Sequence, residues 1–136
     1  MDQPRGLILA DTSAWIEYLR RSESDIDLRV DGLIRGGGIA TTEPVAMELL
    51  AGARDEADHQ RLGRLLGRTS LLALGGFEDH EAAARIQRIC RGREAPAGSI
   101  VDCLIAAVAI RNDVPVLHRD RDFDLIARHT SLRIAE

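Results

Sequence analysis

The sequence predicts an α/β protein of three layers, α/β/α, built on a central, mainly parallel sheet of four to five strands. Two observations carry this. Short apolar runs alternate with amphipathic segments along the whole chain, and neither an internal repeat nor a linker interrupts the alternation. Strands that must be joined by helical crossovers lie parallel, with helices covering both faces of the sheet.

Leu7 to Ala10 is a continuous apolar run and reads as a buried strand, with a helix from Ser13 to Arg21 beginning just after it. Helical spacing over Ile26 to Arg35 ends at Gly36-Gly37-Gly38, a stop signal. A short strand at Ile39 to Thr41 leads to a helix opened by Thr42 and Pro44 and closed near Gly52. Asp55 to Leu66 has helical spacing at Leu62, Leu65 and Leu66, and Leu71 to Leu74 reads as a third strand. In Glu78 to Arg91, Ala82, Ala83, Ile86 and Ile89 share one helical face. Gly92 to Gly98, containing Pro96, reads as a loop, and Ser99 to Arg111 as an almost wholly apolar helix buried on most sides. Val114 to His118 is a fourth strand, Phe123 to Arg128 a short helix, and Leu132 to Ala135 a candidate last strand.

A chain of 136 residues fits one domain spanning 1–136, and 45% hydrophobic residues with no low-complexity tract are enough to fold it. No run of about eighteen apolar residues and no basic-then-apolar leader is visible, so the expected location is cytoplasmic. Cys90 and Cys103 fall in helical stretches with no partner at metal-ligand spacing, and read as reduced thiols.

All 18 basic residues are arginine. Without lysine, a Walker-type phosphate loop and Schiff-base chemistry are excluded. So is phosphoryl transfer of the receiver-domain or haloacid-dehalogenase type, which also starts from an aspartate at a strand end. The net charge of −4 argues mildly against a nucleic-acid partner. Five of the acids, however, are candidates for one metal site: Asp11, Glu48, Asp102, Asp120 and Asp122. Setting their five charges aside brings −4 to +1, with arginine available to fork onto phosphate oxygens.

Four of these acids stand beside apolar runs. Asp11 closes Leu7-Ile8-Leu9-Ala10, and Glu48 lies within Val45-Ala46-Met47-Glu48-Leu49-Leu50. Asp102 interrupts Ile100-Val101-Asp102-Cys103-Leu104-Ile105, and Asp120 follows Val116-Leu117-His118-Arg119. A carboxylate against apolar surface is costly to keep ionised unless it is paired, hydrogen-bonded or bound to a cation. In a parallel sheet, ligands bind beyond the carboxyl ends of the strands, where Asp11, Asp120 and the first helical turn holding Asp102 converge. Carboxylates and water are the ligands of hard divalent ions, so the chemistry suggested is metal-assisted attack of water on a phosphodiester.

Each residue also has a plainer role. Asp11 and Ser13 suit a helix cap, and Ser99-Ile100-Val101-Asp102 matches a capping box. His118-Arg119-Asp120-Arg121-Asp122 suits a solvated turn, and His118 alone suits a structural role. Glu48 is harder to explain that way, because Pro44, Val45, Ala51 and Gly52 surround it at helical spacing. Trp15, Tyr18 and Phe123 read as packing aromatics, and 3% aromatics make base stacking on the sheet an improbable mode of recognition.

Four stretches together resemble PIN-domain ribonucleases, most closely the VapC toxins of bacterial toxin–antitoxin pairs. They are Leu9-Ala10-Asp11-Thr12-Ser13-Ala14-Trp15, Thr42 to Gly52 around Glu48, Ser99 to Ala107 around Asp102, and His118-Arg119-Asp120-Arg121-Asp122-Phe123. They occur in family order from Leu7 to about Ile134. The resemblance implies a Mg2+- or Mn2+-dependent endoribonuclease with one or two ions per site. It also implies a homodimer, inhibited by a small VapB-like antitoxin whose C-terminal segment covers the acidic cleft. By the same carry-over Asp11, Glu48, Asp102 and Asp120 form an acidic quartet, Asp122 is an auxiliary acid and Ser13 supports the site by hydrogen bonding. His118 departs from the family pattern, in which a small hydroxyl residue is commoner. Arg91, Arg93, Arg119 and Arg121 are the arginines nearest in sequence for holding an RNA backbone. Two other classes remain open: a non-catalytic binding module on the same fold, and a PIN nuclease of housekeeping RNA processing. A neighbouring short reading frame for a DNA-binding antitoxin would separate them.

Overall fold

The computed structural model describes residues 6–92 and 99–136, with four strands and seven helices among them. The strands are β1 (Ile8–Ala10), β2 (Ile39–Thr41), β3 (Ser70–Leu71) and β4 (Val116–Leu117). The helices are α1 (Thr12–Leu19), α2 (Asp25–Gly36), α3 (Glu43–Ala51), α4 (Glu56–Leu66), α5 (Phe77–Arg91), α6 (Ile100–Asn112) and α7 (Arg121–His129). The sheet order is β3-β2-β1-β4, and every pairing is parallel. Two helices separate each strand from the next.

The chain lays down β1, β2 and β3 in one direction and then returns to place β4 on the other side of β1. The order therefore reverses between β1 and β4, and ligand sites of open parallel sheets lie at such reversals, beyond the carboxyl ends of the strands. Leu9 pairs with Val116 and Ala10 with Leu117, and the Asp11 N–H then donates to the Leu117 carbonyl at 2.9 Å. That register sets Asp11 level with the exit of β4.

The core is built mostly from β1, β2, β4 and α6. Leu9, Ala10, Ile39, Ala40 and Val116 are buried, as are Cys103 and Ile105 through Ala109 on α6. Trp15 and Phe123 are fully buried, in line with their reading as packing aromatics, and Tyr18 meets the Trp15 ring edge-on at 6.1 Å. Gly37 ends α2 at φ 75°, a left-handed conformation open to glycine at little cost.

Three strand readings are corrected at their ends. The third strand is Ser70–Leu71, not Leu71 to Leu74, because its partner β2 ends at Thr41. Leu72 N–H still reaches the Thr41 carbonyl, but Leu74 N–H turns to the Glu43 side chain in the first turn of α3. The fourth strand shrinks to Val116–Leu117, since Asp113 closes α6 in a left-handed conformation at φ 53° and Pro115 has no N–H to donate. Leu132 to Ala135 contributes a single bridge, Val116 to Ile134, rather than a strand. The sheet thus has four strands, all parallel. The loop read over Gly92 to Gly98 lies, apart from Gly92, outside the described residues.

No helix among the described residues is long and apolar enough to cross a membrane. Cys90 and Cys103 are both buried, and burial pushes the Cys103 thiol up to about 11. The thiolate is the reactive form. Native protein at pH 8 is therefore expected to leave both cysteines unmodified by a colorimetric disulfide reagent, with two thiols appearing on unfolding; fast labelling of folded protein would contradict this packing.

Candidate active site

Asp11 leaves β1 in extended backbone (φ −72°, ψ 163°) and caps α1. Its Oδ2 accepts from Ser13 N–H at 3.0 Å and from the Ser13 hydroxyl at 2.7 Å. Its Oδ1 is buried with no hydrogen-bond partner. Capping thus occupies one oxygen and leaves the other available. Unsatisfied buried oxygens are rare and call for a reason, an ion among them.

Asp102 lies in the first turn of α6, where the Ser99 hydroxyl accepts its N–H at 3.1 Å. Asp120 caps α7, accepting the N–H of Asp122 at 3.0 Å. One carboxylate oxygen from each of Asp102, Asp120 and Asp122 lies within 4.8 Å of the others. Octahedral ligands about 2.1 Å from a magnesium ion stand roughly 3 to 4 Å apart, a spacing close enough to that of these three oxygens that they could hold one cation.

The electrostatics point the same way. Burial pushes the Asp102 carboxyl up to about 7, and repulsion from Asp11, Asp120, Asp122 and Glu48 adds to it in that order. Asp122 is raised too, by burial and then by Asp120. Acids that hold one another's protons are acids a divalent ion would stabilise. The donor set is all oxygen, which fits a hard cation.

Glu48 corrects the premise that drew attention to it. Its apolar neighbours do not bury it: it is exposed on α3, next to a Met47 that is also exposed. Thr12 donates to its Oε1 at 2.7 Å across 36 positions of sequence. Glu48 is thus tied to the Asp11 strand exit through Thr12, while Asp122 stands inside the tight carboxylate group. Thr12 was not singled out from sequence, although its place between Asp11 and Ser13 was available as a signal.

Ser13 does more than cap. Its hydroxyl oxygen also accepts the Arg119 N–H at 2.8 Å, joining the exit of β1 to the segment after β4. The Arg119 guanidinium pairs with Glu17 at 3.3 Å. Arg91 and Arg121 are exposed, and Arg93 lies outside the described residues. Other arginines line the open ground beside the acids. A groove of about 430 Å³ between α1, α3 and α4 reaches Glu48 and Thr12, with Arg20, Arg54 and Arg61 along it. Arg54 follows the Thr42 to Gly52 stretch by two residues, while Arg20 and Arg61 come to the groove by the packing of α1 and α4.

A parallel sheet with carboxylates gathered at its reversal point could hold a metal ion, and the PIN domain family model matches residues 8–129. Over 131 residues the chain is 45% identical to VapC ribonuclease Mb1587 of Mycobacterium bovis, covering 95% of this chain and 98% of the relative. The same figures hold for ribonuclease VapC11 of Mycobacterium tuberculosis. Among solved structures, VapBC2 from Rickettsia felis bound to a promoter DNA fragment is similar at 18% identity, with a TM-score of 0.70 over 95% of this chain and 97% of that one. The chain belongs to the PIN-domain family and, within it, to the VapC ribonucleases, the toxins of VapBC toxin–antitoxin systems.

Proposed function

We propose that the chain cuts RNA with Mg2+ or Mn2+, one or two ions, held by Asp11, Asp102, Asp120 and Asp122. The observation that carries this is the set of three carboxylate oxygens within 4.8 Å beside the unpartnered, buried Oδ1 of Asp11. A divalent ion there would supply Lewis acidity toward the phosphodiester and positive charge against the acids. Glu48 positions the attacking water and takes its proton: Thr12 holds Oε1, and the exposed end of the side chain meets solvent. Ser13 keeps Asp11 turned into the site. Arg20, Arg54 and Arg61 along the groove hold the RNA backbone, as do Arg119 and Arg121 beside the acids, with Arg91 and Arg93 as further candidates.

The proposed partner is a VapB-like antitoxin that covers the acidic cleft of a homodimeric toxin in the cytoplasm. Structural neighbours that are themselves toxin–antitoxin complexes, including one from Klebsiella pneumoniae, support a partner of that kind. The test is incubation of cellular RNA with antitoxin-free protein. Cleavage is expected with added Mg2+ or Mn2+, loss of cleavage with chelator, and recovery when metal is restored in excess. Cutting that persists in chelator would sink the metal-dependent reading, and no cutting in any condition would favour a non-catalytic binding module.

A further inference from the structure

His118 follows β4, and its side chain is only 7% exposed. Its Nδ1 accepts the N–H of Asp120 at 2.9 Å. A ring nitrogen that accepts carries no proton, so the ring hydrogen sits on Nε2, which faces the Asp124 Oδ1 at 3.1 Å and donates to it. The ring also lies on the buried Phe123 at 5.3 Å. One side chain therefore grips the start of α7 at Asp120, Phe123 and Asp124. Two of the clustered carboxylates, Asp120 and Asp122, belong to this turn, and both repel the Asp102 carboxylate.

We propose that His118 is the positioning residue of the acidic site. Its Nδ1 fixes the backbone direction at Asp120 and so aims Asp120 and Asp122 at Asp102, while the Nε2–H bond to Asp124 fixes the tautomer that lets Nδ1 accept. The inference rests on the reading of those carboxylates as metal ligands. Like charges do not converge unless the backbone carrying them is held, and here Ser13 holds Arg119 from one side while His118 holds Asp120 from the other. Loss of a group that orients ligands costs about 10–100-fold in metal affinity.

Asparagine and glutamine separate this role from packing. Asparagine puts an oxygen the same number of bonds from the backbone as Nδ1, and an Asx-type turn accepts the N–H two residues on. Glutamine reaches the place of Nε2 and keeps only the Asp124 contact. Both lose the ring on Phe123. Mn2+ titration of the full chain, followed by the electron paramagnetic resonance of free Mn2+, is expected to show His118→Asn near wild type and His118→Gln about 10–100-fold weaker, with similar melting temperatures. Equal weakening of both, or of neither, overturns the positioning role. Should either fail to fold, the exposed Asp124 gives a second pair. Asp124→Ala and Asp124→Asn remove the same charge, but only asparagine still accepts from Nε2; alanine is expected to weaken Mn2+ binding more, and equal weakening overturns the proposal. If Asp102→Asn binds Mn2+ as wild type does, the metal-site reading itself fails and this inference falls with it.

Discussion

Replacing Asp102 by asparagine is expected to abolish RNA cleavage while raising the melting temperature of the metal-free protein above pH 7. The two effects have opposite signs because the carboxylate is useful only with a cation. Without one, Asp102 is ionised beside Asp11, Asp120 and Asp122, and burial with this repulsion lifts its carboxyl from 3.8 to about 7. A raised acid binds more protons folded than unfolded between those values, so its contribution to stability falls as pH rises from about 4 to about 7. Asparagine removes that slope. The stability gap should therefore be widest near pH 8 and close toward pH 4. With Mg2+ the order reverses, since only wild type gains from binding an ion that the unfolded chain does not bind. The loss of cleavage should exceed about a hundredfold, because even groups one step removed from a metal cost 10–100-fold. Thermal scans of both proteins at pH 5 and 8, with and without Mg2+, alongside an RNA gel, check all of this. A variant that loses stability at pH 8 would mark Asp102 as structural.

What the sequence made legible follows the range of the physics involved. The exit of β1 at Asp11 was readable because a continuous apolar run marks the strand and the first carboxylate after it marks the turn into the next helix, which Asp11 caps. The helix stop at Gly37 and the cap at Ser99 are local and were readable for that reason. The ends of β3 and β4 were not, because a strand stops where its partner or its own backbone stops it: Thr41 ends β2 and so limits β3. Glu48 misled because α3 is apolar on most sides, so helical neighbours did not say which face meets solvent. The ties that build the site, Thr12 to Glu48 and Ser13 to Arg119, span 36 and 106 positions, and no spacing rule reaches across them. The groove arginines share that fate: packing of α1, α3 and α4 brings Arg20 beside Arg54 and Arg61.

At the other end of α6, Arg111→Ala is expected to cost about 1–3 kcal/mol of stability, and more than Asp79→Ala, with cleavage per folded molecule unchanged. Asp79 has a side chain 3% exposed, and Arg111 forks onto it through Nε–Oδ1 and Nη2–Oδ2, both 2.9 Å. The Gly75 N–H adds a third bond to Oδ2 at 2.6 Å, and Arg111 also reaches the Ala73 carbonyl at 2.7 Å. The Arg111 bond holds the Asp79 carboxyl below its ordinary range against the opposing push of burial. The two partners are unequal. Removing Arg111 strands a buried carboxylate with one remaining donor, whereas removing Asp79 leaves a guanidinium 40% exposed and free to hydrate. Crowding at Gly75, where an added Cβ would come within 2.9 Å of Arg111 Nε, shows how closely the pair is enclosed. A depressed carboxyl stabilises above its unfolded value and loses that contribution in acid, so the gap between wild type and Arg111→Ala should narrow below about pH 4. Asp102 lies nine residues away along the same helix, about 13 Å at 1.5 Å per residue, which is why the metal site should not register the change. Denaturant unfolding of both single variants and the double variant measures the asymmetry. Equal losses of less than about 1 kcal/mol would reduce the pair to an ordinary surface ion pair.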